Sequence, residues 1–146
     1  MTQEINMQSL KKDAARGNAN AQFVLGYLHF IGQGIRKDRQ RSVLLWTKAA
    51  EQGHPESQYW LGICYYTGIA VTKDITTAIQ YWKTSAHNGY IMSQMAITTT
   101  YLFHKGTHCQ IKKEEALKYC REAAFKGNEI ARQLLINWFH VSPKES

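Results

Sequence analysis

Apolar residues fall in clusters at helical spacing, and each cluster is cut off by glycine. Between 19 and 31, Phe23, Leu25, Tyr27, Leu28 and Phe30 recur at the interval of an α-helix. Gly32-Gln33-Gly34 then supplies the positive φ that a turn requires. Asp38 stands where an N-cap carboxylate meets orphan N–H groups, just ahead of a second cluster, Val43, Leu44, Trp46, Ala49 and Ala50. Gly53 stops that helix, and Pro55 sits at the first position of the next, where its missing N–H costs nothing. The pattern predicts a pair of helices, A and B, joined by a tight loop.

The pair is repeated. A shift of 36 residues carries Gly17 onto Gly53 and Gly89, Gly26 onto Gly62, Gly32 onto Gly68, Asp38 onto Asp74 and Trp46 onto Trp82. Leu25 follows Leu61 and Ile97, and Gln22 follows Gln58 and Gln94, so a third, divergent copy is present. Beyond Tyr101 the shift becomes 38, which brings Gly68 onto Gly106, Ala78 onto Ala116 and Gly89 onto Gly127. The expected layout is one all-α solenoid domain over 1–146. It has a half-repeat at 5–17, repeats at about 18–53, 54–89 and 90–127, and a capping helix at 128–139. An isolated helix pair cannot cover its own apolar face, and three stacked pairs just suffice for a shared core. Gly26 and Gly62 are read as packing devices that let the A and B axes approach.

Leu25-Gly26, Gly32-x-Gly34-Ile35 and Asp38, followed by Trp46-x-Lys48-Ala49-Ala50-Glu51-Gln52-Gly53, resemble the Sel-1-like repeat, a relative of the tetratricopeptide repeat. The second unit keeps Leu61-Gly62, Tyr65, Gly68, Val71, Asp74, Ala78 and Trp82, with Ala70 in place of the second loop glycine. The third departs furthest: Thr98 replaces the helix A glycine, His108 the loop glycine, Lys112 the capping Asp and Cys120 the Trp. The resemblance implies a right-handed α/α solenoid and a non-catalytic scaffold whose concave surface, lined by A helices, holds a partner protein or peptide. Bacterial relatives serve as adaptors, signalling or host-interaction factors, and some as immunity proteins that neutralise a toxin. The adaptor is the preferred expectation, and the toxin inhibitor is the alternative.

Laying that geometry on the chain places Asn20, Phe23, Tyr27 and Phe30, then Glu56, Tyr59, Ile63 and Tyr66, then Met92, Met95, Thr99, Leu102 and Phe103 along the groove. Aromatic and methionine side chains of this kind dominate binding energy once desolvated, so this row is the expected partner surface. A net charge of +7 adds a preference for acidic partners. Arg36, Lys37, Arg39, Arg41, Lys73 and Lys105, with Lys112 and Lys113, gather in or beside the A-to-B loops as a basic edge. No nucleic-acid reader motif accompanies it, so a protein remains the expected partner.

Other chemistry finds little support. There is no nucleophile elbow, no Walker loop and no zincin helix, and the loop glycines end helices instead of opening them, so no enzyme and no cofactor are expected. His104, His108 and Cys109 are metal-capable donors, but no fourth ligand can be named and Cys109 stands where Ile35 and Val71 do, so packing outweighs metal binding. Three cysteines without a C-x-x-C pair build no disulfide framework. Met1-Thr2-Gln3-Glu4-Ile5-Asn6 lacks the basic and apolar regions of a secretory signal, and no apolar run approaches a spanning length, which points to the cytosol.

Overall fold

The computed structural model describes residues 6–104 and 110–143. Among these the fold is all-α: α1 Met7–Ala15, α2 Ala19–Ile31, α3 Arg39–Glu51, α4 Pro55–Thr67, α5 Ile75–His87, α6 Ile91–Phe103, α7 Lys113–Phe125 and α8 Glu129–Leu134, running into a π-helical turn at Leu135–Phe139. The class is that of stacked helix-pair repeats, the α-solenoid class. The chain divides into two compact units, Met1–Ala78 and Ile79–Ser146.

In the first unit each helix is bounded by the chemistry its sequence carries. Asn18 Oδ1 accepts from the Ala21 N–H at 2.8 Å to start α2, and Asp38 Oδ1 accepts from the Arg41 N–H at 2.9 Å to start α3. Gly32 ends α2 at φ 77°, where a Cβ would lie 3.0 Å from Lys37 Cβ. The loop then closes back on its helix: the Asp38 N–H donates to the His29 carbonyl at 2.9 Å. The next repeat copies the bond from Asp74 to Tyr65 at 2.8 Å. Trp46, Ala49, Leu61 and Cys64 form the buried centre of this unit.

Gly26 makes the α2–α3 approach possible, since a Cβ there would sit 2.7 Å from Trp46 Nε1. Glutamines staple successive helices. Gln22 Nε2 donates to the Ala14 carbonyl at 3.2 Å and Gln58 Nε2 to the Ala50 carbonyl at 3.2 Å. In the second unit Gln94 Nε2 does the same to Ala86 at 3.3 Å. Each bond adds a second donor to a last-turn carbonyl that already accepts the N–H of the following glycine.

The second unit solves the same packing problem with different residues. Thr98 and Cys120 are both fully buried where the first repeat has Gly26 and Trp46, so a larger group on one helix is matched by a smaller one on the other. The Thr98 hydroxyl is satisfied by the Gln94 carbonyl at 2.9 Å, with the Ala116 carbonyl of α7 at 3.3 Å. Lys112 precedes α7 without a side-chain cap, as its replacement of Asp implies. Asn128 Oδ1 accepts from the Ala131 N–H at 2.9 Å to start α8.

Candidate functional site

The first unit gathers six rings from three helices. Trp46 of α3 lies at the bottom, wholly buried, held by its Nε1–H donating to the Phe23 carbonyl at 3.1 Å. Trp60 of α4 stacks on it with centroids 5.4 Å apart, and Phe30 of α2 meets both, at 5.4 Å from Trp46 and 5.5 Å from Trp60. Tyr27 packs edge-on against Trp60 at 5.7 Å, and Tyr59 does so at 6.0 Å. Phe23 lies 6.4 Å from Trp46. Tyr27 is 38% exposed, whereas Phe23, Phe30, Tyr59 and Trp60 are half-buried, so the cluster offers ring surface to solvent above a closed floor.

Polar groups frame the rings. The Arg39 guanidinium sits 5.1 Å over the Phe30 ring, a cation–π contact at the start of α3. Arg39 and Arg41 both occupy the first turn of that helix, where positive charge opposes the macrodipole; helix stability does not account for them. At the other end His54 caps α4: Nδ1 accepts from the Ser57 N–H at 3.3 Å, and Nε2 lies 2.9 Å from Asn20 Oδ1 and 3.6 Å from Glu56 Oε2. A capping Nδ1 carries no proton, so Nε2–H donates to Asn20. Burial pulls the His54 pKa below its usual 6.5, with Glu56 opposing. Burial also raises the Tyr59 phenol and pushes the Cys64 thiol up to about 11, so Cys64 is an inert packing group.

The structure brings part of the expected row together. Phe23, Tyr27, Phe30 and Tyr59 join the cluster, and Asn20 and Glu56 flank His54. Ile63 and Tyr66 are half-buried farther along α4. In the second unit Met92 and Phe103 are exposed, at 49% and 85%, and Met95 is half-buried on the same helix. Arg36, Lys37, Arg39, Arg41 and Lys73 are all exposed; Lys105, His108 and Cys109 lie outside the described residues. Among the described residues no group of three His, Cys, Asp or Glu side chains could hold a metal. Nor, among the described residues, is any helix long and apolar enough to cross a membrane.

Sequence reasoning missed Trp60, which touches four of the other five rings. It stands where the neighbouring repeats have Val24 and Ala96, and that departure from the repeat was the available signal.

Comparison with known proteins matches a family model of the Sel1 repeat at residues 19–54, 55–90 and 92–128. Among solved structures, a Sel1 repeat protein from Oxalobacter formigenes is similar at TM-score 0.81 and 29% identity, over 91% of this chain and 98% of that one. A protective antigen present in uropathogenic Escherichia coli strains, displaying an SLR fold, is similar at TM-score 0.82 and 32% identity, over 90% of this chain and 28% of that one. No curated protein matches.

Proposed function

Because the chain belongs to the Sel1 repeat family, whose members are generally protein-interaction scaffolds and typically non-catalytic, we propose that it binds a segment of a partner protein on the aromatic face of α2 and α4. One observation carries the reading: Tyr27, Phe30, Tyr59 and Trp60 present ring area to solvent while the fully buried Trp46 holds them in place. Rigid aromatic anchors of this kind lose little conformational entropy on binding. Arg39 at the rim favours a segment that sets a carboxylate beside an apolar anchor, and the exposed Arg36 and Lys37 extend that preference. Met92, Met95 and Phe103 of α6 are proposed as further contacts in the third repeat. The role proposed is that of an adaptor, with several reversible partners.

The test is in vivo crosslinking followed by purification, comparing the native chain with Tyr27→Ala/Tyr59→Ala. Capture of several sub-stoichiometric proteins, reduced about tenfold or more in a variant that keeps its helical far-UV circular dichroism, is the expected result. A single stoichiometric enzyme would convert the reading to a toxin-neutralising inhibitor. Undiminished capture by the variant would refute the aromatic face.

A further inference from the structure

A recess of about 490 Å³ opens between α1 and α3 over α2. The α2 residues that line it, Gln22, Leu25 and His29, lie on a different side of the helix from Phe23, Tyr27 and Phe30. Its apolar lining is supplied by Leu25, Ile35 and Leu45, and three cations, Lys11 from α1 and Arg41 and Lys48 from α3, stand around it. None of the three makes an ion pair or a side-chain hydrogen bond among the described residues. His29 also lines the wall, with Nδ1 spent on the Arg36 carbonyl at 3.1 Å, so only Nε2 is left for a ligand.

The repeats themselves provide the control. Counted back from the glycines that end each B helix, Lys11, Arg41 and Lys48 correspond to Thr47, Thr77 and Thr84 in the middle copy and to Lys83, Glu115 and Glu122 in the last. The threonines show that packing at these positions needs no charge. In the last copy the positions are satisfied from within: Lys83 Nζ pairs with Glu115 Oε2 at 2.9 Å, and Glu122 Oε2 accepts from Gln94 Nε2 at 2.8 Å. In the first copy both carboxylates are replaced by cations, so among the described residues no carboxylate pairs with the lysine on the preceding helix.

We infer that this recess binds a small organic anion, an apolar body carrying a phosphate or carboxylate, with the charge held by Lys11, Arg41 and Lys48 and the body seated on Leu25, Ile35 and Leu45. The volume is that of a small-molecule pocket. Charge-assisted hydrogen bonds to Arg41 supply the orientation. The threonines of the middle copy and the internal ion pair of the last leave neither with this set of free cations, so the first repeat alone carries the site.

The experiment is an amide NMR titration of the full chain with phenyl phosphate, and separately with inorganic phosphate and with benzyl alcohol. Saturable shifts centred on Ala14, Ala15, Ile35 and Leu45 are expected, with phenyl phosphate at least about tenfold tighter than either fragment. Arg41→Glu, which recreates the Lys83–Glu115 pairing of the last repeat at Lys11, is expected to weaken binding about tenfold or more without lowering the melting temperature. Equal affinity for inorganic phosphate, shifts spread over all basic surfaces, or unchanged binding by Arg41→Glu would overturn the assignment. So would a phosphotyrosine hexapeptide that binds about tenfold more tightly than phenyl phosphate, because the ligand would then be a protein segment.

Discussion

Substituting alanine for Gly26 adds one methyl group at the closest approach of α2 and α3. Its carbon falls 2.7 Å from Trp46 Nε1 and 2.8 Å from Cδ1. An ordinary contact requires a separation larger by about 0.7–1 Å, so either the indole or the helix axis must move. The indole is poorly placed to yield, being fully buried, stacked on Trp60 at 5.4 Å, and tied to the Phe23 carbonyl at 3.1 Å. Overpacking costs about 1–3 kcal/mol and a strained hydrogen bond up to about 1 kcal/mol more. The intrinsic helix preference of alanine over glycine returns about 0.5–1 kcal/mol. The net expectation is a loss centred on about 2 kcal/mol, read as a lower urea midpoint by far-UV circular dichroism. In a Trp46→Leu background the clash is gone, and the same substitution is expected to be neutral or stabilising. A Gly26→Ala protein with unchanged or raised stability in the native background would refute the argument.

Two further outcomes follow from the same geometry. Ala70 holds φ 60° where the first repeat has Gly34 at φ 68°, so Ala70→Gly is expected to raise stability by about 1 kcal/mol in urea melts; a loss would show the strain to be absent. The His54 pKa is lowered on folding, so the unfolded chain takes up the proton first and stability falls as pH drops from above 6.5 through the folded value. Urea melts between pH 5 and 7.5 are expected to show this decline and to lose part of it in His54→Asn, which keeps a capping side chain; an identical slope in the variant would refute the linkage.

Much of the fold is legible along the chain because its determinants are local. Asn18, Asp38 and Asn128 cap their own helices, and Gly32 permits the backbone angle of its own turn. The repeat also exposed the shared interior. Gln22, Gln58 and Gln94 recur because each donates to the same carbonyl of the preceding helix. The candidate site was half legible. The repeat resemblance assigned Phe23 and Tyr59 to the groove face, yet Phe23 proves to be packed on Trp46 and His54, so truncating it tests stability as much as binding.

The sequence by itself determined the repeated helix pairs and the family, since spacing, capping and turn preference act over a few residues and are copied with each repeat. Only the tertiary structure decided that Trp60 would bridge Trp46 to Tyr27, and that the Thr98 hydroxyl would find the Ala116 carbonyl of α7. It alone decided that Lys83 would find Glu115 while Lys11 and Arg41 line one open recess. Those outcomes depend on which side chains two neighbouring helices bring within a few ångströms, a property of the pair that no single stretch of chain contains.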